Sequence, residues 1–156
     1  MKRYDVIVVG VGGVGSAALY HLARRGVRAI GIDRFAPPHD RGSTHGHTRV
    51  IRQAYYEHPN YVPLLRESYR EWFDLESRVE RKLFHQIGLL EAGPADGVVV
   101  PNVLSAARQY DIPVERLDAS GIESRWPGFR VNDNYAGVFE PGAGYLLVED
   151  CVQARL

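Results

Sequence analysis

The apolar run Val6-Ile7-Val8-Val9 leads directly into Gly10-Val11-Gly12-Gly13-Val14-Gly15, and a second apolar run, Val27 to Ile32, ends in Asp33. The order is strand, glycine turn, helix, strand, acid, with the acid about 18 residues past the last glycine of the turn. The glycines differ in what they permit. Gly10 allows the tight turn off the strand, Gly12 lets backbone approach a pyrophosphate, and Gly15 lets the helix lie close on the sheet. Unpaired N–H groups at the positive end of the helix dipole then face the phosphates. Asp33 is placed to accept the ribose hydroxyls of an adenosine half and to repel a 2′-phosphate. A bare GxGxxG also occurs in tight turns of unrelated α/β proteins. Strand, helix and acid at these distances select a dinucleotide site, flavin or nicotinamide.

Composition narrows the class. The 156 residues are 45% hydrophobic and carry 19 basic and 19 acidic side chains, so nothing in the net charge points to a polyanion or a membrane surface. Lys2 and Arg3 before an apolar run resemble a secretory leader, but Asp5 and the glycine cluster argue against one. No run reaches the roughly 20 apolar residues needed to span a bilayer. Cys151 is the single cysteine, so internal disulfides and a CxxC metal site are excluded and the cytoplasm is the default compartment.

Past the glycine turn, the first helix is expected from about Val14 to Arg25, closed by Gly26, with Ala17, Ala18, Leu22 and Ala23 on the sheet. A proline-broken loop, Phe35 to Ser43, leads into Thr44-His45-Gly46-His47-Thr48-Arg49-Val50-Ile51-Arg52. Leu65, Tyr69, Trp72, Phe73, Leu75 and Val79 recur at helical spacing, predicting a helix over about Asn60 to Leu83 whose aromatic stripe is core. Strands are expected at Gly88–Ala92 and Val114–Leu117, and helices at Asn102–Tyr110, Ala119–Arg125 and from Glu149 onward. Residues 135–140 and 145–148 read as a hairpin across Pro141-Gly142-Ala143-Gly144. One βαβ unit followed by strands of another kind is less than a doubly wound sheet requires, so the sequence reads as the front of a longer protein.

The segment Gly42 to Tyr55, with Tyr61-Val62-Pro63-Leu64, Arg125-Trp126-Pro127-Gly128, Asn134-Tyr135 and Phe139-Glu140-Pro141, resembles the monomeric sarcosine oxidase and N-methyltryptophan oxidase family. The resemblance spans essentially the whole chain, with the glycine turn and Asp33 in register. It implies FAD as cofactor, a secondary or N-methyl amino acid as substrate and oxygen as acceptor, giving an imine and hydrogen peroxide. The fold class implied is α/β, a Rossmann-like FAD-binding domain of the glutathione-reductase type with part of an inserted α+β substrate domain. Residues 1–86 would be the first part of the FAD domain, 87–145 the first part of the substrate domain and 146–156 the return. The alternatives are a piece of an NAD-dependent dehydrogenase and an FAD-binding piece without activity; the chain by itself is expected to be inactive.

Carried over residue by residue, the resemblance assigns Gly10, Gly12, Gly13, Gly15, Asp33 and Arg34 to the cofactor's ADP half and Ser43 to its surroundings. His45 and Arg49 go beside the isoalloxazine ring as catalytic residues, and Arg52 to the substrate carboxylate. On its own chemistry Arg52 reads equally as a planar carboxylate fork or as one half of a surface ion pair. The family usually has an aspartate where His47 stands, which puts in question the hydrogen bonds that hold this loop. His45 and His47 stand two apart, but no third ligand is nearby and no metal is expected. His21, His39, His58 and His85 fit no catalytic pattern. Cys151 is expected to be a small buried hydrophobe.

Overall fold

The structure, a computed structural model, describes residues 3–156; Lys2, considered above as part of a leader, lies outside them. Two compact units divide the chain. Of the described residues, one comprises 3–49, 72–84 and 146–156, the other 50–71 and 85–145. Residues 50–71 thus group with 85–145.

In the first unit, β1 (Val6–Val9) and β2 (Ala29–Ile32) pair in parallel, Val6 opposite Ala29 and Val9 opposite Ile32, with α1 (Gly13–Arg24) as the crossover. Gly26, at φ +74°, ends α1 as the sequence predicts: its N–H reaches the Ala23 carbonyl at 2.9 Å, and Val27 N–H reaches that of Leu22 at 3.0 Å. The packing face differs from the expected one. Gly15 and Ser16 are the buried residues of α1, while Ala23 is exposed. The cause is the close approach of the first turn: a Cβ on Gly15 would stand 1.8 Å from the Gly10 carbonyl oxygen. Further along, Leu19 lies over Gly31, where a Cβ would meet its Cδ1 at 2.5 Å.

Helix α2 (Val62–Val79), preceded by a 3₁₀ turn over Pro59–Tyr61, crosses from the second unit into the first. Tyr69, Trp72 and Leu75 of the predicted stripe are buried, but Phe73 is off it and exposed. The helix stops before Leu83 because Glu80 takes a left-handed backbone and Glu76 turns back to accept the N–H groups of Leu83 (2.6 Å) and Phe84 (2.7 Å). Helix α5 (Val148–Gln153) buries Val148, Cys151 and Val152 in the first unit. Burial pushes the Cys151 thiol up to about 12, in keeping with a packing role.

In the second unit, β7 (Tyr135–Glu140) is the centre of an antiparallel sheet between β5 (Leu89–Pro94) and β6 (Glu115–Asp118). Helix α3 (Val99–Tyr110) starts earlier than the sequence suggests, since Pro101 falls in the first turn, where its missing N–H has no partner to lose. It joins Ala54, Val62, Ile112, Ala136 and Val138 in one apolar core. Helix α4 (Ala119–Arg125) has the predicted bounds, capped by Asp118 accepting the Gly121 N–H at 2.7 Å.

A third sheet has the order β3 (Thr48–Ile51), β8 (Gly144–Leu147), β4 (Phe84–Gln86). The hairpin expected between residues 135–140 and 145–148 therefore does not form, because β7 pairs with β5 and β6 while β8 pairs with β3 and β4. Gly144 is the reason on the chain: a Cβ there would stand 1.9 Å from the His85 carbonyl oxygen, so the bare backbone lets β8 lie against β4. Neither β3 nor β4 is evident from periodicity.

Candidate functional site

The glycine turn opens on a cavity of about 180 Å³ lined by Val11, Gly12, Asp33, Pro37, His39 and Ser43, together with neighbouring loop residues and Val152. Gly12 caps α1 without a side chain, and the first turn of α1 contains no acid. A Cβ at Gly12 would point beside Thr44 at an ordinary 3.5 Å and take up cavity space rather than strike protein. Thr44, which sequence reasoning passed over, fixes the turn from the opposite loop: its Oγ1 accepts the Gly13 N–H at 3.2 Å.

Asp33 faces this cavity, and its carboxylate is already in use. Oδ2 accepts the Val11 N–H at 2.6 Å, and Oδ1 accepts the N–H of Phe35 at 3.1 Å. His39 Nε2 lies 3.2 Å from the same Oδ1. Because Arg41 N–H donates to His39 Nδ1 at 3.1 Å, that nitrogen is an acceptor and the proton sits on Nε2, pointing at Asp33. The Val11 N–H first, then those of Phe35 and His39, hold the Asp33 carboxyl down at about 2. His39, which fits no sequence pattern, is thus tied to the ribose-type acid by tautomer and distance.

The other residues assigned to the cofactor fall into two groups. Ser43 lines the cavity with Gly12 and Asp33, whereas Gly10 and Gly15 act by close contact with each other. Arg34 lies outside that cavity, its guanidinium 5.4 Å from the Phe35 ring centre. His45 Nδ1 donates to the Gly42 carbonyl at 2.6 Å, a bond that fixes the proton on Nδ1 because a carbonyl only accepts. Arg49, on β3, donates to the carbonyls of Ser43 (3.2 Å) and His45 (3.4 Å), which ties it to the loop that carries His45. With His47 in the place of the usual acid, that loop is held by Glu149 of α5, whose Oε1 accepts the Gly46 N–H at 2.9 Å.

Arg52 belongs to the second unit. Its side chain is 16% exposed and lies in ion-pair contact with Glu57 (3.2 Å) and, through Nε, with Glu91 (3.1 Å). The guanidinium stands over the Tyr55 ring at 4.3 Å. The fully buried Glu140 completes the surroundings, accepting the N–H groups of Gln53 and Ala54. The sequence reading gave Glu57, Glu91 and Glu140 no role at a site, although Glu140 follows Ala136 and Val138 on the inward face of β7, an alternation that marks an inward carboxylate. Burial pushes the Glu91 carboxyl up to about 7 against the pull of Arg52, with Glu140 and Glu57 adding to the rise.

Residues 5–154 match the FAD dependent oxidoreductase family, DAO. The monomeric sarcosine oxidase of Bacillus sp. (strain B-0618) is 43% identical over 97% of this chain and 39% of its own length. The N-methyl-L-tryptophan oxidase of Yersinia pestis (strain Pestoides F) is 45% identical over 98% of this chain and 41% of its own. The solved structure of NikD, an unusual amino acid oxidase essential for nikkomycin biosynthesis, superposes with a TM-score of 0.86 at 33% identity, covering 99% of this chain and 40% of that one. The chain spans about two-fifths of the length of the relatives it matches. The side-chain-free cradle at Gly12, the acid-free helix start and the carboxylate at Asp33 fit the ADP half of the cofactor for which the family is described, and with the match over residues 5–154 they show that this chain belongs to the FAD dependent oxidoreductase family.

Proposed function

We propose that the protein takes part in oxidising the C–N bond of a secondary or N-methyl amino acid, with oxygen as the final acceptor. In the net reaction the amine gives up two electrons and two protons to become an imine, and oxygen receives them as hydrogen peroxide. FAD, when bound, supplies the two-electron acceptor. The side-chain-free backbone at Gly12 and the start of α1, where Thr44 fixes the Gly13 N–H, would receive its pyrophosphate, and Asp33 its ribose. Ser43, His45 and Arg49 are assigned to the flavin side, where the fixed cation of Arg49 favours negative charge on the reduced cofactor. Residues 1–86 and 146–156 are read as belonging to an FAD domain and 87–145 to a substrate domain. The lone, buried Cys151 favours the cytoplasm, and no helix among the described residues is long and apolar enough to cross a membrane.

The observation that carries the substrate class is Arg52. A shielded guanidinium held over Tyr55, with the more exposed Glu57 on its NH2 edge, is a ready carboxylate fork whose present occupant can swing into solvent. Arg52→Gln in the full protein tests this. The KM for sarcosine should rise with the flavin spectrum intact, while turnover of dimethylamine, the same amine without a carboxylate, should change little. Equal losses for both compounds would remove Arg52 from the substrate site.

A further inference from the structure

Arg52 has two edges, and its acidic neighbours differ in kind. Glu57, on the NH2 edge, comes from the loop after β3 and its side chain is 40% exposed. Glu91 touches Nε from the middle of β5 and its side chain is 13% exposed. Strand β5 is fixed by pairing with β7 along its length, Glu91 opposite Val138 and Leu89 opposite Glu140. Glu91 and Glu140 therefore share one face of the sheet, since Glu91 is two residues from Leu89. A loop acid can leave; a strand acid cannot. The Nε of Arg52 is buried, and its N–H is not aligned on Glu91 as a hydrogen bond, so the contact is one of charge.

We propose that Glu91 is the positioning residue of the Arg52 site, holding the inner edge of the guanidinium while the outer edge exchanges Glu57 for a ligand carboxylate, and that Glu91 takes up a proton from solvent in the exchange. The inference rests on the reading of Arg52 as a carboxylate fork. Charge requires the proton. With Glu57, Glu91 and Glu140 all ionised around one guanidinium, an anion arriving at Arg52 meets a net negative cluster, and Glu57 alone can move away. The groups acting on Glu91 are Arg52, Glu140 and Glu57. From α3, which also packs on β5, the buried face is Val100, Val103, Ala106 and Ala107, with Arg108 exposed and Tyr110 at the helix end. Arg52 is thus the one cation among the described groups that act on Glu91, set against two acids, Glu140 and Glu57. The raised Glu91 carboxyl places the exchange near neutral pH.

Binding and protonation are then reciprocal: an anion at Arg52 favours neutral Glu91, and neutral Glu91 favours the anion. The probe is acetate, with acetamide as its neutral counterpart, and dissociation constants are read by ligand-observed NMR on the full protein. Acetate should bind about tenfold more weakly at pH 8 than at pH 6, one pKa unit of coupling being a factor of ten, and acetamide should show no such step. Glu91→Gln should bind acetate with the low-pH affinity throughout. An infrared difference spectrum of the unmutated protein at pH 7, taken with carbon-13-labelled acetate, should show a protein carboxyl band appearing as acetate binds, a result that needs no variant. Persistence of the pH step in Glu91→Gln, or absence of the carboxyl band, overturns the role of Glu91 while leaving Arg52 in place. Loss of neither affinity nor acetate-over-acetamide preference in Arg52→Gln overturns the Arg52 reading itself, and the role of Glu91 falls with it.

Discussion

Glu140 accepts the backbone N–H of Ala54 at 2.9 Å across 86 residues of sequence, and both residues are buried. A carboxylate buried to 2% exposure is costly, and here it is retained as the partner of two backbone donors, Gln53 and Ala54, that no sheet satisfies. Burial raises the Glu140 carboxyl, and the two N–H groups oppose the rise. Glu140→Ala should therefore destabilise the protein by about 2–4 kcal/mol, because the Ala54 N–H is left buried without an acceptor. Glu140→Gln keeps one acceptor oxygen and should lose about half as much. Denaturant titration of the two variants measures the difference; equal midpoints would mean that the N–H groups find another partner.

The glycine turn separates fold from binding within three residues. A Cβ on Gly15 would meet the backbone of Gly10 at 1.8 Å, so Gly15→Ala must push α1 off the sheet, at a cost of about 1–3 kcal/mol or more. A Cβ on Gly12 meets only ordinary contacts but fills the cradle, so Gly12→Ala should fold near normally and lose flavin. Thermal unfolding and absorbance of bound flavin read the two effects. Normal flavin content in Gly12→Ala would move the pyrophosphate elsewhere.

Glu76 turns the chain after α2 by accepting the N–H groups of Leu83 and Phe84, whose side chains are fully buried. Burial raises its carboxyl, but the N–H groups of Phe84 and Leu83 together with Lys82 win, and the net shift is downward. Glu76→Ala should cost about 2–4 kcal/mol and Glu76→Gln roughly half. Amide exchange at Leu83 and Phe84 should quicken in both variants. Unchanged protection at these two amides would rule out Glu76 as their anchor.

What the sequence disclosed was local. The glycine turn and the Gly26 close each depend on residues within one turn of one another, and both appear where the spacing placed them. The turn-to-acid distance survives because β1, α1 and β2 are consecutive. What escaped was held across the chain: Glu140 on Ala54 at 86 residues, Glu149 on Gly46 at 103, and β8 between β3 and β4 rather than beside β7. The chemical types at these positions are ordinary surface acids and a glycine-rich turn, so nothing in their neighbours distinguishes them. Arg52 is intermediate, since its type suggested a fork, but the acids on its two edges come from a loop and a strand that only the fold brings together.

Asp33 sets the acid limit of the cofactor cradle. Its carboxyl is held at about 2, below the ordinary value of 3.8, chiefly by the Val11 N–H and next by that of Phe35. The lowered value means that the folded state favours the ionised form. This contribution to stability is complete above the unfolded value and is lost as pH falls from about 4 through 2. The amide resonance of Val11 should therefore move with a midpoint near 2, and Asp33→Asn should remove the titration while weakening the turn, since a neutral amide accepts more weakly than a carboxylate. His39, as a third donor on the same carboxylate, should shift with it, and His39→Ala should raise the midpoint only slightly because the two backbone bonds remain. A Val11 midpoint at the ordinary 3.8 would show that the carboxylate is not held by these donors and is free to turn wholly toward a ribose.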